Sequence, residues 1–482
     1  MKKQFKYILT LGLCGVMFGS CNKDYLDPVP QTSITDATSF DTPDRILNQV
    51  RSIYGSLKNG NFYGGRYVAY GDIRGENWIK VTTNLVTGAD VWQLNPTNSS
   101  TNSVRNLWAQ AYATINNANL FIDGMNEKGT AVVGDALANN YIAEARFIRA
   151  LAYYSLLQYY ARPYADGDGS KEGLPLRLTG IKGPGASDLE RSSVQEVYDQ
   201  IIADLDFAET NLPASYATAT LNVTRAHKNT AISFKTRVYL TMGGTGATAA
   251  QTGYLNKVIT EANKIVPQTP PFVATSGVAH ALQASPVTPF RTYTTTESIL
   301  SMPMTTTAGD FPGTQNQLGF YFYNNGSVGS AEYRLNPNGI VANTNWSATD
   351  LRRTGLLYTH TNGNMYSMKY ITPSPYTDWV PVMRWAEVLL NLAEALARTD
   401  AGVNARAVLL LNAVRQRSDP ATVLAPATKQ ELIDAILLER NIEFLAEGLR
   451  NNDLMRLLQT IPAKGSVPAK APTEVGYIWP IS

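Results

Sequence analysis

Glu439, Glu443 and Glu447 recur every four residues, with Arg440, Arg450, Asp453 and Arg456 close by. Paired carboxylates are what glycoside hydrolysis uses, one as acid and one as base or nucleophile. On a helix, residues four apart share a face, and like charges in a row are unfavourable unless basic groups interleave. Arg384, Arg415 and Arg417 in preceding segments supply such groups. The spacing reads as an inter-helix salt-bridge network. An acid/base pair would need a cleft, which the alanine-rich helix faces do not suggest. Glu387 and Glu394, seven apart, take the same reading. The three histidines, His227, His280 and His360, are far apart without ligand-like spacing, and no cysteine follows position 21, which argues against a zinc site. No G-x-S-x-G, P-loop, H-E-x-x-H or G-x-G-x-x-G motif occurs. No catalytic residue, cofactor or metal site is expected. A structural calcium ion among the Asp- and Asn-bearing loops stays open, because it needs only oxygen ligands.

Aromatic rings in polar stretches raise a different chemistry. Tyr63, Tyr67, Tyr70, Trp78 and Trp92 fall between the first two long helical patterns. Phe320, Tyr321, Tyr323, Tyr333 and Trp346 fall in a later irregular stretch. An exposed ring offers a flat apolar face, and a sugar presents apolar C–H faces ringed by hydroxyls. Asn77, Asp90, Asn95, Asn98, Asn324 and Asn325 stand nearby in sequence to bond those hydroxyls. Apolar platforms with a few polar groups are the usual make-up of a small-ligand site. Any one ring has a second reading, as packing beneath a long loop. As a set they point to ligand binding.

The segments that carry these residues are mostly helical in pattern. Thr42-Pro43 opens a helix with Ile46, Val50, Ile53 and Leu57 on one side. A second is expected from Ser103 to Gly124, with Leu107, Ala111, Ile115 and Leu120 inside, and a third from Gly134 to Tyr160. Ser192-Ser193 caps a fourth, ended by Pro213. Thr224 is expected to open a fifth, and Tyr254 to Val266 to form a sixth. Pro267 to Pro381 is rich in Thr, Ser, Gly, Asn, Pro and Tyr and breaks the pattern. So long an irregular stretch inside a globular chain is usually functional or a subdomain. Helices resume at Val382–Arg398, Asn404–Arg417 and Gln430–Glu447, with Gly448 as a stop, and a short one follows at Arg450–Leu458. Short connections and small faces (Ala143, Ala145, Ala150, Ala152; Ala386, Ala393, Ala395, Ala397) fit antiparallel pairs of the tetratricopeptide type, although no fixed period survives. An irregular helical bundle is the other reading.

With 482 residues, 44% hydrophobic and 17% charged, the chain has ample material for a core. Forty-one basic against 39 acidic residues give +2, which provides no reason to expect nucleic acid as a partner. Both cysteines, Cys14 and Cys21, lie at the start. Lys2, Lys3 and Lys6, an apolar run from Tyr7 to Phe18, then Gly19, Ser20 and Cys21 have the order of a secretory signal with a cysteine at the cut site. Cys21 is the expected lipidation site, and the apolar run is too short for a permanent span. From Asn22 to about Ser39 the chain reads as an extended leader.

Together these pieces resemble the SusD/RagB family of nutrient-uptake lipoproteins. The resemblance is carried by Cys21-Asn22-Lys23-Asp24-Tyr25-Leu26-Asp27, Gly71-Asp72, Trp108–Tyr112–Ile115–Asn116, Glu144-Ala145-Arg146-Phe147-Ile148-Arg149-Ala150 and Pro163-Tyr164. It continues through Arg384-Trp385-Ala386-Glu387, Ala393-Glu394-Ala395, Leu411-Asn412-Ala413-Val414-Arg415, Glu439-Arg440, Glu443, Glu447-Gly448, Arg450, Asp453-Leu454 and Tyr477-Ile478-Trp479-Pro480-Ile481. It implies a mainly α fold of tetratricopeptide-like helix pairs with a large loop-rich insertion. The expected division is a signal at 1–20, a lipidated leader at 21–39 and one SusD-like domain at 40–482. Within that domain, helical repeats fill 40–266 and 382–458, and the ligand region fills 267–381. The resemblance further implies a lipid anchor on the outer face of the outer membrane and a SusC-like TonB-dependent transporter as partner. The expected ligand is an oligosaccharide, with a peptide as alternative. A surface glycosidase and a purely structural scaffold are the other readings. Trp78 and Trp92 are the expected stacking platforms, Tyr321 and Trp346 the opposing rings, and Asn77 and Asp90 the hydroxyl partners. These six come from composition and position, since binding residues vary most within the family.

Overall fold

The computed structural model of the chain describes residues 38–482, apart from 184, 186–187, 308–309, 312, 325, 327–330 and 482. Cys21 and nearly all of the leader lie outside the described residues. The first half holds α1 (Pro43–Leu57), α2 (Arg66–Ile73), β1 (Trp78–Lys80), α3 (Ala89–Trp92), α4 (Asn106–Gly124), α5 (Thr130–Val133), α6 (Asp135–Tyr160), α7 (Val194–Asn211), α8 (Ala219–Thr224), α9 (Lys228–Gly243) and α10 (Ala249–Ala262). The middle holds β2 (Ser298–Met302), α11 (Leu318–Phe322), β3 (Tyr333–Leu335), α12 (Leu351–Leu356), β4 (Leu357–Thr359) and β5 (Met365–Ser367). The last part holds β6 (Val380–Arg384), α13 (Trp385–Thr399), α14 (Ala405–Ser418), α15 (Lys429–Glu443) and α16 (Arg450–Arg456).

Side-chain caps mark where several of these helices begin. Thr42 accepts from the Arg45 N–H with Pro43 in the first helical position of α1. Ser193 and Glu196 form a reciprocal capping box on α7. Thr248, Asn404 and Thr428 do the same one-sided duty for α10, α14 and α15. Each oxygen satisfies an N–H that has no acceptor within the first turn.

The long helices pack in succession: α1 on α4, α4 on α6, α6 on α7, α7 on α9, α9 on α10, α10 on α13, and α13 on α14 and α15. The contact between α10 and α13 closes over the excursion of residues 263–384, so the helical stack is continuous in space although interrupted in sequence. This is the expected mainly α array of helix pairs with an insertion. Ala143, Ala145, Ala150, Ala152, Ala386, Ala393, Ala395 and Ala397 are all buried, which allows close helix approach. Among the described residues there are three two-stranded antiparallel pairs: β2 with β6 and β4 with β5 within the insertion, and β3 of the insertion with β1 of the first half.

Four boundaries differ from the sequence expectation. Thr224 closes the short α8 instead of opening a long helix; Arg225 is extended and reaches Glu144 at 2.5 Å, so α9 begins at Lys228. The cap at Thr248 moves the start of α10 ahead of Tyr254. Val380–Arg384 is a strand paired with β2, so α13 begins at Trp385. Finally α15 stops at Glu443, and the chain then turns through Ala446 (φ 66°) and Gly448 (φ 80°). That turn is seated on Asp72, whose buried carboxylate accepts from the N–H groups of Ala446 (3.0 Å) and Gly448. Gly71 lies against it so closely that a Cβ there would stand 2.1 Å from the Gly448 carbonyl oxygen.

Candidate functional site

The carboxylates at 439, 443 and 447 sit in a buried lattice of opposite charges. Arg352 reaches Glu439 (2.5 Å), Glu443 (2.9 Å) and Asp350 (2.7 Å), and Arg415 reaches Glu439 (2.6 Å). Arg384 reaches Glu297 (2.6 Å), Glu443 (2.9 Å) and Glu447 (2.7 Å). Arg417 reaches Glu297 (2.8 Å) and Glu443 (2.6 Å), and Lys369 reaches Glu447 (2.5 Å). Five carboxylates meet five cations, so the lattice is neutral. Burial alone would raise the Glu443 carboxyl, but Arg417, Arg384 and Arg352 hold it well below the usual range, the opposite of what a general acid needs. The network anticipated from the spacing is present, with Arg384, Arg415 and Arg417 in it. Glu297, Asp350, Arg352 and Lys369, which spacing did not indicate, bind the insertion to α14 and α15. Glu394 and Glu387 are likewise spent, on Arg456 (2.6 Å) and Arg237 (2.6 Å). Among the described residues no group of three or more His, Cys, Asp or Glu is placed to hold a metal ion.

The sequence-based binding residues lie elsewhere than expected. Trp78 (0% exposed), Trp92, Tyr321 and Trp346 are buried. Trp78 packs on Phe322 at 4.3 Å and donates to Asp72; Trp92 donates to the Trp78 carbonyl at 2.8 Å. Tyr321 stacks on Tyr333, and Arg353 covers Trp346 at 4.5 Å. Asn77 is buried too, donating to Asn441 and accepting from the Ile340 N–H. Asp90 is half-buried and accepts from the Ser103 hydroxyl. A ring enclosed by side chains has no face for a sugar, so these residues hold β1, β3 and the loops beside α2 on the helical frame. A long polar stretch carries its own small core, and composition cannot tell that core from a surface.

Half-buried rings gather instead around Arg291, within the expected 267–381 region. Tyr293 and Trp379 stack with centroids 5.1 Å apart and planes 11° apart. The β4–β5 hairpin carries Tyr358, with Tyr323 at 5.8 Å, the buried Tyr366 at 6.1 Å and the turn residue His360 at 6.5 Å. Arg291 is exposed, and both Tyr293 and Tyr323 lie within its electrostatic reach, so it links the two groups. Its guanidinium is fixed by three main-chain carbonyls: Phe290 (3.0 Å), Met368 (2.7 Å) and Lys369 (3.1 Å). Lys369 is in turn pinned by Glu447, so the charge lattice positions this face. Tyr293 donates to Asp378 at 3.0 Å, and the Thr372 N–H donates to the other Asp378 oxygen at 2.9 Å. Burial raises the Asp378 carboxyl.

Of these rings only Tyr323 was in the sequence-based set. Tyr293, Tyr358, Trp379 and Arg291 were missed. The signal for the hairpin was present: Thr361-Asn362-Gly363-Asn364 is a turn between two short runs in which Tyr358 and Tyr366 alternate with Leu357, Thr359 and Met365. Two cavities lie away from this face. One of about 700 Å³ runs between residues 96–99 and 474–481, but Tyr160 and Trp479 on its wall are buried, meeting each other edge to face, with Trp479 also against Tyr159. One of about 400 Å³ lies beside Phe40 and Ile53.

Comparison with known proteins gives consistent matches over most of the chain. A family profile described as starch-binding, associating with the outer membrane, matches residues 24–240, and the SusD family profile matches residues 226–477. SusD-like protein P2 of Formosa agariphila is 25% identical over 94% of this chain and 90% of that protein. SusD-like protein P25 of the same organism is 26% identical over 41% of this chain, which spans only 36% of that protein. A SusD superfamily protein from Bacteroides fragilis superposes with a TM-score of 0.79 at 29% identity, covering 92% of this chain and 97% of that one. A laminarin-binding SusD-like protein shares the fold at a TM-score of 0.64 and 18% identity, covering 86% of this chain and 91% of that one.

Proposed function

The chain belongs to the SusD family, and from that premise we propose that it is a surface lipoprotein that captures oligosaccharides and passes them to a partner TonB-dependent transporter. The observation that carries the ligand reading is the cluster of half-buried rings around Arg291. Tyr293, Tyr323, Tyr358 and Trp379 offer partly open aromatic faces at one place, beside an exposed guanidinium. A receptor that releases its cargo needs shallow, fast-dissociating contacts and no bond chemistry, and an open aromatic face suits that better than an enclosed cavity. Every carboxylate that sequence spacing had offered for hydrolysis is neutralised by an arginine, which supports binding without turnover. Cys21 is the proposed anchor, and among the described residues no helix is long and apolar enough to cross a membrane. Affinity electrophoresis of the purified full chain through a panel of soluble polysaccharides tests this reading. At least one glycan should retard the chain, and Tyr293→Ala/Trp379→Ala should abolish the retardation while leaving the thermal midpoint within a few degrees. Undiminished retardation in that double variant removes the assignment of the site.

A further inference from the structure

Arg291, Arg334 and Arg353 of the insertion have no carboxylate hydrogen-bonded to them, and of the three Arg291 is the exposed one. Arg352 and Arg384 each end on carboxylates. Arg291 ends on the carbonyls of Phe290, Met368 and Lys369, which orient the guanidinium and leave its charge in place. Both Nη1 bonds and one Nη2 bond are used in this way. Among the described residues the Nε–H and the second Nη2–H have no hydrogen-bond partner. Nε and Nη2 share the edge of a guanidinium that meets a carboxylate or sulfate in parallel. Asp378 is the acidic group that acts on Arg291, but it is only 4% exposed and both of its oxygens are occupied, by the Tyr293 hydroxyl and the Thr372 N–H. It gives no acceptor to the surface. The exposed cation is held beside β5 through the Met368 and Lys369 carbonyls, two residues from Tyr293 of the Tyr293–Trp379 stack and within electrostatic reach of Tyr323 of the Tyr323–Tyr358 pair.

From this arrangement we infer that the face selects acidic saccharides, with a carboxylate or sulfate on the sugar paired to Arg291 while the rings take the apolar faces of neighbouring units. The inference rests on the binding reading above and adds the charge of the ligand to it. The near-neutral net charge of the chain is no obstacle, since one oriented cation acts within about 10 Å at moderate salt.

The test measures affinity of the full chain, by calorimetry, for acidic oligosaccharides and their neutral forms. One arm pairs tetragalacturonate with its full methyl ester, and a second pairs a carrageenan oligosaccharide, which carries sulfate and no carboxylate, with its desulfated form. The acidic member of at least one pair should bind about three- to tenfold tighter, and raising salt from low to physiological levels should narrow the gap. Arg291→Gln should bring the acidic-to-neutral ratio toward one, whereas Arg291→Lys, which keeps the charge, should retain a salt-sensitive preference. The arm that responds tells carboxylate from sulfate. Equal affinity for acidic and neutral forms, or a preference unchanged in Arg291→Gln, overturns the inference while the ring site stands. Unchanged binding of both forms in Tyr293→Ala/Trp379→Ala overturns the site itself, and failure of every probe to bind counts against both.

Discussion

Tyr293 and Trp379 each spend one ring face on the other, and both side chains are half-buried. Trp379→Ala should weaken the bound glycan by about tenfold, and Trp379→Phe, which keeps a flat ring, should recover most of the loss in calorimetry. Three buried residues shape the response to acid. His227 and His280 stack with centroids 5.2 Å apart in the core, and burial lowers them to about 3 and about 4. Below the ordinary histidine range the unfolded chain takes up protons that the folded chain refuses, so stability falls as pH drops from about 6.5 toward 4. Asp72 acts in the opposite sense. Burial raises its carboxyl from 3.8 to about 7, so between those values the folded state holds a proton that the unfolded state has lost, and acidification through that window is stabilising. His280→Gln isolates one of these contributions. Unfolding free energies of that variant from urea titrations should fall with acid less steeply than those of the parent between pH 6 and 4.5, by up to about 1.4 kcal/mol per pH unit. Parallel curves would mean that His280 is free to charge in the folded state.

Elements are held by contributions of very different size. The cap at Ser193 closes one N–H at the exposed start of α7, and Ser193→Ala should cost about 1 kcal/mol. Glu443 joins α15 to Arg352, Arg384 and Arg417, and Glu443→Ala leaves those cations buried with one acceptor fewer; about 3–5 kcal/mol is expected in denaturant unfolding. A loss near 1 kcal/mol would mean that water or a neighbouring carboxylate takes over. The backbone contact between α2 and the turn after α15 is as demanding, since Gly71→Ala puts a methyl group against the Gly448 carbonyl. Most of this element scale was legible in the sequence, because period and caps agree: Ile46, Val50, Ile53 and Leu57 with Thr42-Pro43, or Val197, Ile201, Leu205 and Ala208 with Ser193. The ring assignments were not legible. Trp78 and Trp92 sit among Asn and Asp yet pack inward, and which side of a long loop faces water is decided by contacts with β3, α11 and α2 that sequence neighbours do not reveal. Tyr358 was within reach, since alternation about an Asn-Gly turn marks a hairpin. Trp379 was hidden just ahead of a strand mistaken for the start of a helix.

For the whole molecule, the continuous helical stack gives a frame, the neutral lattice of ten charges fixes the insertion to it, and the insertion presents the ring cluster. The order of these parts explains how a loop-rich segment can hold the proposed binding face: its backbone is tied down through Lys369, Arg384 and Arg352. At this scale the proposed anchor predicts that Cys21→Ser moves the chain from the membrane fraction to the soluble fraction, with glycan binding retained; membrane retention of the variant would point to a tether other than lipid. The claim that the Arg291 ring face is where glycan binds has a direct readout in hydroxyl-radical footprinting of the full chain with and without a bound polysaccharide. The expected result is ligand-dependent protection of Tyr293, Tyr323, Tyr358 and Trp379. Protection confined to residues 96–99 and 474–481 around the larger cavity, with these four rings labelled equally in both states, would contradict the account.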